Sequence, residues 1–201
     1  MTAYGQEMDD EALKKPTHSI GFTLGRASQK TFPQTNDDYV YAATSIKLQY
    51  DHKLWNWGKW GAHVLIEPSY YRVDHQLLNF FFIEPEERNF QDRRDRFTQP
   101  RSFDEWALNI GLRLDRPLTD KASIYGLISS GPMYQGDSTE RLKRGFSFSN
   151  VLAAGMQFQF AGRFKWDLRL TMRHTSNAGT QFPNSGHNSL GGETGLIYIL
   201  P

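Results

Sequence analysis

Along most of this chain every second residue is apolar, and the period recurs in eight separate runs. Ile20, Phe22 and Leu24 alternate with Ser19, Gly21, Thr23 and Gly25, and Ile46, Leu48 and Tyr50 alternate with Lys47, Gln49 and Asp51. Trp60, Ala62, Val64 and Ile66 form a third run, broken by Leu65. Trp106, Leu108, Ile110, Leu112 and Leu114 form a fourth. Ala122 to Ser130 is weaker and mixed. Phe146, Phe148, Leu152, Met156, Phe158 and Phe160, then Phe164, Trp166, Leu168, Leu170 and Met172, then Leu196, Tyr198 and Leu200 complete the set. A period of two is that of a strand with one apolar and one polar face. The runs predict strands at about 18–27, 38–52, 58–73, 102–116, 121–133, 145–161, 163–176 and 189–200.

Several of these exceed the usual strand length of soluble sheets and reach the roughly 9–11 residues that cross a bilayer at a tilt. The connections alternate in length. Those at 53–57, 117–120 and 161–163 are short, and those at 28–37, 74–101, 134–144 and 177–188 are long. Short turns at one end and long loops at the other, with an even strand count, describe an all-β fold: an eight-stranded antiparallel up-and-down transmembrane β-barrel with both termini on the periplasmic side. Residues 1–17 are polar without a period and read as a tail, leaving 18–201 as one barrel domain. Leu77–Ile83 would make a ninth strand and break the even count, so it is assigned to the loop, with Glu84–Arg96 as a solvated charge run. The same alternation also fits a soluble lipocalin-like ligand-binding barrel with its apolar face inward. The Gly, Ser, Gln, Asn, Arg and Asp on the polar face suit a narrow, hydrogen-bonded lumen, and no clear helix accompanies the strands.

The formal net charge of +1 offers no basic stripe for nucleic acid. No run approaches the roughly 18 apolar residues of a transmembrane helix, which leaves a barrel possible. With no cysteine there is neither a disulfide framework nor a thiol nucleophile. The start, Met1 to Gln6, lacks a charged and an apolar region, so the expectation is that a signal peptide was removed or that the start lies near its cleavage site. Trp55, Trp57 and Trp60 read either as an interfacial girdle or as a core cluster.

The chemistry concentrates at 172–190. His174 and Ser176 share the parity of Leu168, Leu170 and Met172, so in a membrane barrel both face lipid, where polar groups are costly and suggest function. Residues two apart on a strand have Cα atoms roughly 6.5–7 Å apart, close enough for an imidazole to reach a hydroxyl. A serine nucleophile needs that base. Backbone N–H groups of the following turn, with the Asn177 amide and Gly179, are candidates for an oxyanion hole. A bare His-x-Ser pair is otherwise ordinary strand-end and turn chemistry. His187 beside Asn188 suggests a metal only weakly, because no acid joins the two histidines.

The run His174-Thr175-Ser176-Asn177-Ala178-Gly179, followed by Pro183-Asn184-Ser185-Gly186 and a last strand, resembles the PagL-type lipid A 3-O-deacylase family. The resemblance implies an enzyme of the Gram-negative outer membrane that hydrolyses the 3-position acyl ester of lipid A. His174 is then general base, Ser176 nucleophile, and Asn177 and Gly179 lie near the oxyanion. Its partners are lipid A, lipopolysaccharide and outer-membrane lipids, with no metal or cofactor, and with the oligomeric state open, a homodimer included. Members carry a Glu fourteen residues after the His to orient it. Here that position is Asn188, whose carbonyl oxygen can hold the imidazole tautomer without supplying charge. Glu193 has the wrong parity for that role unless a bulge intervenes. The rival reading is a non-catalytic structural or adhesion barrel.

Overall fold

The computed structural model describes residues 18–33 and 35–201, so the expected polar tail lies outside the described residues. The strands are β1 (His18–Ser28), β2 (Tyr39–Trp57), β3 (Trp60–Leu77), β4 (Arg101–Pro117), β5 (Ala122–Gln135), β6 (Gly145–Ala161), β7 (Phe164–Ser176) and β8 (His187–Ile199). They pair antiparallel in chain order, and β8 closes on β1, which leaves no sheet edge. The row of paired residues that leaves β8 at Asn188 runs through His174, Asn150, Ser130, Ile110, Ile66, Tyr50 and Ile20. It returns to β8 at Tyr198, ten residues on. A stagger of that size over eight strands tilts them by about 43°. Such a row therefore sinks about 3 Å, from the long-loop end toward the short-turn end, with each strand it crosses.

The two faces are inverted relative to a water-soluble protein. Leu48, Trp106, Ile110, Leu152 and Leu170 are 60%, 59%, 56%, 57% and 70% exposed. Lys47, Glu67, Glu105, Arg113, Arg169, Arg173 and Glu193 are buried. Only a hydrocarbon solvent makes that distribution favourable, which overturns the soluble ligand-binding alternative. The buried charges pair inside the lumen. Arg169 bridges Glu67 and Glu193, each at 2.6 Å, and Lys47 reaches Glu193 at 2.7 Å. Nearer the long loops, Arg173 holds Glu105 at 2.7 Å, and the Tyr41 hydroxyl donates to the same carboxylate. Toward the short turns, His63 lies between Asp51 and Asp115.

The lumen is not wholly polar. Leu65, Tyr125, Leu127, Val151 and Ala153 form an inward apolar cluster. It accounts for the Leu65 interruption and for the mixed pattern of β5. The expected connection at 53–57 is strand instead, because β2 continues to Trp57 and turns on Gly58 and Lys59, with Gly58 at φ +59°. Trp55, Trp57 and Trp60 are 57%, 80% and 40% exposed, so they form an outer girdle and no core cluster.

Leu77 ends β3, and no ninth strand follows. Instead Phe80–Phe82 is a 3₁₀ turn and Phe90–Phe97 a short helix, α1. They fold over a cluster of Leu77, Ile83 and Phe97. The charge run is therefore structured. Arg93 pairs with Glu87, the Arg94 guanidinium donates to the Ile83 carbonyl, and Arg96 pairs with Asp137 at 2.6 Å.

Candidate active site

Strand β7 rises toward the long-loop end with its odd residues, Arg173 and Thr175, buried in the lumen. That parity turns His174 and Ser176 to the outer wall, where both are half-buried. In the sheet register His174 lies between Asn150 of β6 and Asn188 of β8, and Ser176 lies opposite Phe148.

The structure brings His174 and Asn188 together. Nδ1 of the imidazole donates to the Asn188 side-chain oxygen at 2.7 Å. That bond fixes the tautomer and leaves Nε2 as the unprotonated nitrogen, the form a general base requires. Ser176 shares the face and the strand but makes no side-chain hydrogen bond among the described residues, so the hydroxyl is free to turn toward Nε2 or toward a substrate. Glu193 faces the lumen in its ion pairs with Lys47 and Arg169.

The turn after Ser176 is built around Asn177, which is 1% exposed. Its Nδ2 donates to the Gln181 carbonyl at 2.8 Å and its Oδ1 accepts from the Gly179 N–H at 3.1 Å. Its own N–H donates to the Asn184 side-chain oxygen at 2.8 Å. Asn177 thus organises the turn, and the donors of Asn177 and Gly179 are engaged within it rather than aimed at Ser176. Ala178 and Gly179 adopt φ of +52° and +77°, the left-handed turn that follows.

The loop between β5 and β6 clamps this turn from the side. Ser185 and Gly186 N–H groups donate to the Arg141 carbonyl, and Leu142 bridges to Asn184. Gly186, at φ +66°, lies against His174: a Cβ there would come within 2.3 Å of the Thr175 oxygen and 3.2 Å of His174 Cε1. His187 points the opposite way from His174. It is buried, stacks on Tyr41 with ring centroids 4.4 Å apart, and meets Thr139 Oγ1 through Nε2 at 2.9 Å. The two histidines therefore share no site.

One-strand periodicity could not reveal Gly186 or Asn150. Each is brought to the site by another strand or loop, and only the Pro-Asn-x-Gly spacing hinted at the first.

Fold and site together define an outer-membrane β-barrel of a Gram-negative bacterium with a His–Asn pair and a serine on its lipid-facing wall, near the long-loop rim. The chain belongs to the PagL family: a model described as Lipid A 3-O-deacylase (PagL) matches residues 43–196. No curated protein matches the chain. The crystal structure of the outer membrane enzyme PagL aligns with a TM-score of 0.56 at 14% identity, covering 88% of this chain and 97% of that one. Neisserial surface protein A aligns at 0.49 with 9% identity over 91% and 97% of the two chains. Ail of Yersinia pestis aligns at 0.44 with 15% identity over 90% and 95%.

Proposed function

We propose that this protein removes the 3-position acyl chain of lipid A by serine ester hydrolysis at His174 and Ser176. The observation that carries the reading is the His174–Asn188 hydrogen bond of 2.7 Å, which leaves Nε2 as the basic nitrogen on the same outer face of β7 that carries Ser176 two residues on. The family match supports the substrate class.

In the first step His174 Nε2 takes the Ser176 proton as Oγ bonds to the ester carbon and the carbonyl electron pair moves onto oxygen. Collapse breaks the bond to the sugar oxygen, which leaves with the proton from His174. Water, deprotonated by His174, then attacks the acyl-enzyme. The fatty acid departs, and Ser176 regains its proton. The Asn177–Gly179 turn is our choice for the oxyanion donors. The Gly179 N–H, whose 3.1 Å bond to Asn177 Oδ1 is longer than the 2.8 Å bond that holds the Asn177 N–H, is the one a small shift of the turn would release. Below the site an outer groove of about 640 Å³, lined by Ile124, Gly126, Ala154, Met156, Leu168 and Leu170 among others, suits a methylene chain.

The test is mass spectrometry of lipopolysaccharide incubated with purified protein. Loss of one hydroxyacyl chain with wild type, and at least a thousand-fold slower loss with Ser176→Ala, is the expected result. Identical lipid A from both proteins would leave a non-catalytic barrel.

A further inference from the structure

Outside the His174, Ser176 and Asn188 group, the described outer wall of β5 to β8 is built of apolar side chains, glycine and proline, with three polar exceptions. Thr194 is satisfied by the Trp166 indole N–H at 2.6 Å. The other two are Ser130 and Asn150, and they are hydrogen-bonded to each other: Ser130 Oγ donates to Asn150 Oδ1 at 2.7 Å. Both lie in the paired row that contains His174. That row sinks toward β5. Asn150 is therefore about 3 Å deeper in the lipid than His174, and about 8 Å deeper than Ser176.

A carboxamide at that depth is unfavourable unless its donors are used. Ser130 occupies the oxygen. The NH₂ group, turned away from β5, has no partner among the described residues. Pairing of β5 with β6 runs unbroken through Ser130 and Asn150, and that of β6 with β7 through Asn150, so these ladders do not need the two side chains. An acyl chain held at Ser176 and running down to the groove at Gly126 and Ala154 passes over Asn150.

We infer that Asn150, braced by Ser130, is a specificity-determining residue whose amide NH₂ donates to a hydroxyl carried on the acyl chain close to its carboxyl end. The inference rests on the deacylase reading above. A hydroxyl on the third carbon sits about 3–4 Å from the carbonyl carbon, and its hydrogen bond adds about 2.9 Å. With the lengths of the two side chains, that spans the roughly 8 Å between Ser176 and Asn150. A chain without the hydroxyl places methylenes against an unpaired amide, which is the asymmetry by which hydrogen-bonding sites discriminate.

The experiment compares two glucosamine-based esters of equal chain length in mixed micelles, one 3-hydroxyacyl and one unsubstituted. Wild type should favour the hydroxylated ester by about ten- to hundred-fold in kcat/KM. Asn150→Leu should bring that ratio to within about three-fold of unity, mostly through loss on the hydroxylated ester. Ser130→Ala, which frees the amide to rotate, should give an intermediate ratio. Heat-modifiable gel migration checks that each variant is folded. A wild-type ratio near unity, or one that survives in Asn150→Leu, overturns the inference while leaving the deacylase reading intact. If wild type cleaves neither ester, the deacylase reading fails and takes the inference with it.

Discussion

At position 188 a carboxamide does half of what a carboxylate would. Its oxygen holds the Nδ1 proton of His174 at 2.7 Å and so selects the useful tautomer. It offers no charge to the imidazolium that the proposed mechanism forms as Ser176 is deprotonated. Asn188 is exposed, so a longer side chain has room there. Asn188→Glu should therefore raise kcat several-fold, and Asn188→Ala should lower it by about ten- to hundred-fold, as measured by initial rates of fatty-acid release. Equal rates in all three proteins would mean that the hydrogen bond plays no part in turnover. Gly186 tests the same geometry from behind. Its left-handed φ and the close approach of Thr175 and His174 leave no space for a methyl group. Gly186→Ala should displace the imidazole from its present position against Gly186 and cost at least about ten-fold in activity, while heat-modifiable migration persists.

Single strands announce themselves, but rows across strands do not. The outward parity of His174 and Ser176 was readable because Leu168, Leu170 and Met172 set it within one segment. The company they keep was not. Asn150 and Ser130 join the row of His174 only through the register of β5, β6 and β7, which no period in one strand encodes. The boundaries failed where turn residues are few. Lys53 to Trp57 mixes lysine and asparagine with leucine and tryptophan and shows no clear period, yet the hairpin turns later, at Gly58. Helix α1 was hidden because eight residues with five charges carry little apolar periodicity. Its packing comes from Phe90 and Phe97 meeting Leu77 and Ile83 from an earlier segment. The groove below the site is likewise a cross-strand product, since Gly126, Ala154 and Leu170 share one row. Ala154→Leu should fill its middle and lower the ratio of kcat/KM for long- over short-chain esters several-fold. An unchanged ratio would place the acyl chain elsewhere on the wall.

A barrel that turns most of its hydrophobic side chains to lipid keeps only local apolar clusters inside and holds the rest of its interior by polar pairing. Here that pairing converges on Arg169. The guanidinium touches Glu67 and Glu193 at 2.6 Å each, and Lys47 completes the group through Glu193 at 2.7 Å. All four side chains are almost fully buried, so water cannot replace a missing partner. Removing the central cation leaves two carboxylates facing a single lysine. The cost of breaking such a buried pair is about 3–5 kcal/mol, dominated by the stranded charge and not by the lost attraction. Arg169→Met should accordingly lower the urea midpoint for unfolding from lipid vesicles, read as the shift from the fast to the slow gel band. If stranded charge is the cause, the double variant Arg169→Met with Glu67→Gln recovers much of the loss, because it removes one unpaired carboxylate and leaves Glu193 to Lys47. A double variant no more stable than the single one would assign the loss to packing in the lumen instead. Because β7 carries Arg169 and Arg173 on its inner face and His174 and Ser176 on its outer face, the lumenal pairs also hold the strand on which the proposed chemistry depends.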